Sequence, residues 1–194
     1  MSEYFIGGAF PALRGCKGGA SLNCIKMVVT MNPCPCGYFG HPTRSCTCAK
    51  GAVHRYLSRV SGPLLDRLDL HVEVPAVNYD ELSSSAVSES SADIKARVNA
   101  ARRIQRERYD GTSVRCNARL TPSTLKKFCV MDDRASMMLK AAFEKMGFSA
   151  RAYDRVLKVS RTIADLDGCE VINSSHIAEA IQYRNLDRKY WRNG

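Results

Sequence analysis

"MNPCPCGYFGHPTRSCTCAKG", residues 31–51, decides how the rest of the chain is read. It holds two Cys-x-Cys pairs, Cys34 with Cys36 and Cys46 with Cys48, with nine residues between them. Four cysteines are the right number and type of ligand for a closed tetrahedral zinc site, where the ion's own field makes the thiolates available. Gly37, Gly40 and Pro42 suit a loop that turns the second pair back onto the first. The Cys-x-Cys bite is shorter than Cys-x-x-Cys and harder to fit to one ion. Small buried hydrophobes, however, do not cluster among Pro, Gly, Thr and Arg, so structural zinc is preferred to four plain thiols. A redox pair is disfavoured, because nothing resembles Cys-x-x-Cys in a thioredoxin-like setting. His41 and His54 are left outside the shell, since four thiolates already complete it.

The flanks set this loop in a fold. Upstream, "IKMVVTM" (25–31) is a nearly continuous apolar run, the pattern of a strand buried on both faces of a parallel sheet, and Asn32-Pro33 ends it. The Gly-rich first two dozen residues predict a loose segment, and "GCKGGAS" (15–21) lacks the Gly-x-x-x-x-Gly-Lys-Ser/Thr spacing of a phosphate loop. Downstream, residues 52–68 predict one or two short helices interrupted by Gly62-Pro63. "DLHVEVP" (69–75) then alternates Leu70, Val72 and Val74 with His71 and Glu73, a half-buried strand ended by Pro75.

The texture changes at "SSSAVSESSAD" (83–93), a serine-rich polar stretch that reads as a linker over 83–91. Beyond it, residues 92–194 read as helical almost to their end. Ser90 and Asp93 resemble a capping box, and Ile94, Val98, Ala101, Gln105 and Tyr109 trace one stripe of a helix. Lys95, Arg97, Arg102, Arg103, Arg106 and Arg108 lie on its other face. Further helices are predicted near 121–130, 132–146, 149–167 and 173–184. The one over 149–167 has Ser149 as N-cap, an inner stripe of Ala152, Val156, Ser160 and Ile163, and Gly168 as its stop.

Composition bounds the rest. A chain of 194 residues that is 45% hydrophobic can bury a core, and 29 Lys plus Arg against 19 Asp plus Glu give a formal charge of +10, which favours polyanionic partners such as nucleic acid or nucleotide phosphates. No run is long enough to span a membrane and no secretory leader is evident, so the expected location is the cytoplasm. Nine cysteines, an odd number, then point to reduced thiols or metal rather than disulfides. Cys16, Cys24, Cys116, Cys129 and Cys169 are scattered and read as core or incidental thiols.

"VVTMNPCPCGYFGHPTRSCTC", "YLSRVSGPLLDRLDLHVEVP", "GFSARAYDRVLKVSRTIADLDG" and "HIAEAIQYRNLDRKYW", in this order, resemble the magnesium-chelatase-like YifB/ComM family of AAA+ ATPases. The resemblance runs from about residue 25 to the C-terminus and leaves residues 1–24 unmatched. It implies an α/β fold: residues 25–82 as the C-terminal remnant of a nucleotide-binding sheet, with a zinc hairpin at 34–48, followed by an all-α lid over 92–194. It further implies that Asn32 is the sensor-1 amide that orients the attacking water, where the residues alone allow equally an Asx turn before Pro33. Arg67 becomes the arginine finger that reaches a neighbouring subunit's γ-phosphate, where the residues alone favour an ion pair with Asp66 or Asp69. Arg151, with Arg155 one turn later as fallback, becomes sensor 2, the lid arginine on bound nucleotide.

The family's phosphate-binding loop and acidic Mg²⁺ site have no counterpart in these residues; the Asp80-Glu81 pair follows Val-Asn-Tyr rather than an apolar strand. The chain is therefore expected to be the C-terminal part of such a protein and not to hydrolyse ATP alone, with ATP and Mg²⁺ as cofactors of the complete protein. Identical subunits in a ring and DNA are the implied partners. Two other readings stand beside it: a non-enzymatic zinc module that binds nucleic acid through the clasp and the arginine-rich helix 92–109, and, ranked last, a motor that inserts metal into a porphyrin.

Overall fold

The computed structural model describes residues 4–11, 24–75, 83 and 88–184, with side chains from residue 28 onward. Gly15–Ser21, Asp80-Glu81, most of the serine-rich linker and the stretch after Arg184 lie outside the described residues. The chain divides into two compact units, Met1–Ser83 with Tyr183–Gly194, and Ser84–Gln182.

The first unit is built on a three-stranded antiparallel sheet. Strands β1 (Tyr4–Pro11), β2 (Cys24–Met31) and β3 (Leu70–Glu73) lie in the order β2-β1-β3. Tyr4 stands opposite Met31 on one side and Glu73 on the other. Two expectations are corrected here. Residues 4–11 form a strand rather than a loose segment, and β2 pairs antiparallel with it instead of joining a parallel sheet. Nor is β2 buried on both faces. Val28 is 65% exposed, while Val29 and Met31 pack against Leu65 and Leu68, so the apolar run covers one face only, as antiparallel sheets permit.

Helices α1 (Ala52–Leu57) and α2 (Gly62–Leu65) bring the core leucines to that face. Pro63 stands in the first turn of α2, where its missing N–H costs nothing. Leu57 packs with Met31, Val53 and Tyr56, and Leu65 and Leu68 with Val60. β3 corrects the expected alternation: His71, assigned to the polar face, is 2% exposed. At the strand's edge the His71 backbone N–H donates to the Tyr183 carbonyl at 2.8 Å. Arg184, 1% exposed, donates from Nη1 to the Leu68 carbonyl at 2.6 Å and lies 3.6 Å from an Asp66 carboxylate oxygen. The chain thus leaves this unit to build the other and returns to close it.

The second unit is helical: α3 (Ser91–Arg108), a 3₁₀ turn (Asn117–Arg119), α4 (Pro122–Phe128), α5 (Asp133–Met146), α6 (Ala150–Leu166) and α7 (Ser174–Gln182). Caps set these boundaries. Ser90 accepts from the Asp93 N–H at 3.2 Å and Ser149 from the Ala152 N–H at 3.1 Å, while Gly168 takes the left-handed φ of 68° that stops the chain after α6. The inner stripe of α6 is as read from the sequence, with Ala152, Val156, Ser160 and Ile163 all buried. The stripe of α3 holds only in its second half: Ala101, Gln105 and Tyr109 are buried, whereas Ile94 and Val98 are exposed. Parallel bridging of Met131 with Ile172 ties the start of α5 to the start of α7. Among the described residues no helix is long and apolar enough to cross a membrane.

Candidate functional site

The loop after β2 folds the four cysteines together. Cys34-Pro35-Cys36-Gly37 makes a tight turn closed by the Gly37 N–H on the Cys34 carbonyl at 3.0 Å, and Gly37 and Gly40 take φ of 82° and 76°, which L side chains rarely adopt. This is how the short Cys-x-Cys bite serves a common centre. All four Sγ atoms lie within 4.8 Å of one another, with separations of 3.3 Å (Cys34–Cys36), 3.5 Å (Cys36–Cys46) and 3.7 Å (Cys34–Cys46). Sulfurs bound about 2.3 Å from a tetrahedral zinc stand roughly 3.8 Å apart, so the residues fit the ion. Cys34 is fully buried and roots the cluster in the unit, and the Phe39 N–H donates to its sulfur at 3.3 Å.

The electrostatics argue for a cation at the centre. The Tyr38 backbone N–H brings the Cys36 thiol down to about 5. A Cys36 backbone hydrogen bond also lowers Cys48, but burial and the sulfurs of Cys36, Cys46 and Cys34 outweigh it and push that thiol up to about 12. Cys46 is raised as well, a Cys48 backbone hydrogen bond being overcome by burial and by Cys36 and Cys34. One thiolate forms readily and then resists the next, whereas a divalent ion supplies the charge that four together need. His41 stays outside this set: its Nδ1 accepts from the Thr43 and Arg44 N–H groups at 3.2 and 3.1 Å. His54 is exposed on α1. Of the scattered cysteines, Cys129 is a core thiol that burial pushes up to about 11, and Cys116 and Cys169 are half-buried.

Asn32 directly follows β2, two residues ahead of the first ligand, and is half-buried. Arg67 follows α2 and is exposed, and among the described residues it forms no ion pair. Of the two carboxylates expected to engage it, Asp66 and Asp69, Asp66 lies 3.6 Å from Arg184 instead. Arg184 therefore grips the chain on both sides of Arg67, a link no local pattern announced. In the helical unit, Arg151 is exposed in the first turn of α6 and Arg155, one turn on, is half-buried.

A buried polar centre in the helical unit also escaped the sequence reading. The Asp165 carboxylate, fully buried, accepts from both terminal nitrogens of Arg108 (3.0 and 2.5 Å), from Arg161 Nε (3.1 Å) and from Asn117 Nδ2 (2.8 Å). Arg161 spends its other donors on the Glu170 carbonyl at 2.5 Å and on the Cys169 carbonyl. Burial pushes the Tyr109 phenol up to about 12, so it stays protonated and donates to Asn117 Oδ1 at 2.6 Å. Arg108, assigned to the outer face of α3, instead joins α3 to α6. The available signal was Arg161 and Asp165 at i and i+4 amid the apolar positions of α6.

Comparison with known proteins agrees with this division. Residues 22–82 match the model for magnesium chelatase, subunit ChlI, and residues 88–184 the model for its C-terminal region. YifB of Escherichia coli K12 is 41% identical over 165 residues, which covers 84% of this chain and 31% of that protein. The competence protein ComM of Haemophilus influenzae is 40% identical over the same coverage, and Rv2897c of Mycobacterium tuberculosis 32% over 82% of this chain and 31% of its own length. The chain spans about a third of the length of these relatives. It belongs to the magnesium-chelatase-like, AAA+-related family and corresponds to the C-terminal part of its members.

Proposed function

We propose that this chain is the C-terminal portion of a ring-forming AAA+ ATPase that couples ATP hydrolysis to work on DNA. The observation that carries the reading is Arg67: in a chain of this family, an exposed guanidinium with no ion pair among the described residues sits on a segment clamped at Asp66 and Leu68 by Arg184. Phosphoryl transfer depends on positioning and on charge placed where it develops, and a permanently charged planar cation held on a fixed segment meets both needs across a subunit boundary. Asn32 at the end of β2 would orient the attacking water, and Arg151, or Arg155 one turn on, would contact the nucleotide from the helical unit. The phosphate loop and the acidic Mg²⁺ site would come from the remainder of a protein of the relatives' length. Mg²⁺ supplies neutralisation of the phosphate charge when bound. Zinc held by Cys34, Cys36, Cys46 and Cys48 supplies a cross-link that offsets the chain entropy of the loop between Asn32 and Arg67. The +10 charge, and the competence role in the name of ComM, support DNA as the object of the work.

The test is Arg67→Ala in the longer protein that carries this segment. ATP turnover is expected to fall roughly a thousandfold or more, the scale of losing such an arginine, with nucleotide affinity unchanged. Turnover at the wild-type rate removes the finger assignment. A zinc module without enzymatic activity is the second reading. It is favoured by the surface of the cysteine loop, where the Arg44 guanidinium lies 5.3 Å from the Tyr38 ring centre beside a 40% exposed Phe39, a platform on which bases could stack. Nucleic-acid binding that chelation abolishes, in a longer protein without ATPase activity, would establish it instead.

A further inference from the structure

The helical unit carries a second basic feature, separate from Arg151 and Arg155. Arg102 and Arg106 stand one turn apart on the exposed face of α3, and Arg115, from the turn after that helix, joins them around a surface pocket of about 300 Å³ completed by Gln105 and Cys116. Among the described residues no carboxylate lines it. Glu107, which could have neutralised the helix locally, faces Arg103 at 4.0 Å. Among the described residues Arg102, Arg106 and Arg115 form no ion pair. Like charges at i and i+4 destabilise a helix by a few tenths of a kcal/mol, so in the absence of an anion the arrangement is a net cost.

Gln105 is what makes this a shaped pocket rather than a charged patch. It is 8% exposed, and its Oε1 accepts from the Asn117 backbone N–H at 3.3 Å. That bond holds the side chain in place and leaves its N–H₂ group as the donor it can offer a ligand. Asn117 is itself fixed by Tyr109, Thr162 and Asp165, at 2.6, 3.0 and 2.8 Å. The lining thus gathers three arginines, whose guanidinium groups can only donate, beside a glutamine held in place through Asn117, a set suited to the oxygens of a phosphate.

We infer that Arg102, Arg106, Arg115 and Gln105 form a phosphate-binding pocket that takes a backbone phosphate of nucleic acid. The choice of nucleic acid as the source rests on the function proposed above; the phosphate chemistry of the pocket does not.

The experiment uses the whole chain. Labelled single-stranded and duplex oligonucleotides are titrated at several salt concentrations against wild type, the triple variant Arg102→Gln/Arg106→Gln/Arg115→Gln, and the single variants Arg103→Gln and Arg106→Gln. All four arginines are exposed, so the variants are expected to fold, which circular dichroism checks. The triple variant is expected to bind tenfold or more weakly, on the order of one charge-assisted hydrogen bond or above. Its salt slope on duplex is expected to shrink by up to roughly 0.9 for each phosphate no longer neutralised. Arg103→Gln, which removes a single charge outside the pocket, is expected to bind like wild type. A triple variant that binds as wild type overturns the proposal. So does a weakening in Arg103→Gln as large as that in Arg106→Gln alone, because bulk charge would then explain both. A parallel arm measures melting with added pyrophosphate. If oligonucleotides bind no form of the chain while pyrophosphate raises the melting temperature of wild type but not of the triple variant, the nucleic-acid source is overturned along with the DNA reading, and a small-phosphate site is left. The motor assignment stands or falls separately on Arg67.

Discussion

Cys36 is the residue at which the chemistry of the first unit is most exposed to test. Its thiol is held near 5 while those of Cys46 and Cys48 are raised, so removing Cys36 takes away the sulfur most readily ionised. Cys36→Ser is expected to abolish stoichiometric metal, read by elemental analysis as one zinc per chain in wild type and none in the variant, and a chelator is expected to lower the melting temperature of wild type only. A wild-type chain free of metal, with melting indifferent to chelator, would remove the zinc assignment. At this scale the sequence was most informative about the four cysteines, because spacing and ligand type are local properties. It misplaced Arg108 and was silent about Asn117 and Arg184, and the partners of these three lie 57, 48 and 116 residues away. A charged residue read alone defaults to solvent, and only the packed fold shows that it has been buried and paired.

At the scale of elements, caps and stripes were legible where one helix answered to one core, as in α6 from Ser149 to Gly168. They failed where a partner outside the element intervened. β2 read as doubly buried because a run of Val and Met is apolar whatever covers it, and its antiparallel neighbour came from a Gly-rich stretch with no strand pattern. His71 read as exposed because period-2 alternation assigns a residue to a face but does not show what covers that face. The joint between α3 and α6 has its own consequence. Asp165 offsets two guanidiniums, of which Arg161 is 1% and Arg108 16% exposed at the side chain. Asp165→Asn keeps the shape but leaves both cations without their counter-charge, a change that costs roughly 3–5 kcal/mol when a buried pair is broken. Urea denaturation of the whole chain is expected to show a loss of that order; a shift below about 1 kcal/mol, the scale of an exposed pair, would mean the centre is solvated.

At the scale of the whole molecule, the chain's return to its first unit links the fold to the proposed function. Tyr183 and Arg184 follow α7 yet belong with the sheet, where they cover the free edge of β3 and grip the residues on either side of Arg67. Arg184→Ala removes the donor to the Leu68 carbonyl, and leaving such a group unsatisfied costs roughly 1–3 kcal/mol. The penalty belongs to the first unit, so a local readout is the decisive one. Hydrogen exchange is expected to quicken at the amides of His71 and Leu65–Leu68, while amides in the middle of α6, whose core is built within the second unit, keep their protection. In the longer protein the same variant is expected to lower ATP turnover without weakening nucleotide binding, because the finger would remain present but lose its fixed position. If His71 exchange stays at the wild-type rate, Arg184 does not hold this segment, and the orientation of Arg67 must be set by something other than the chain's return.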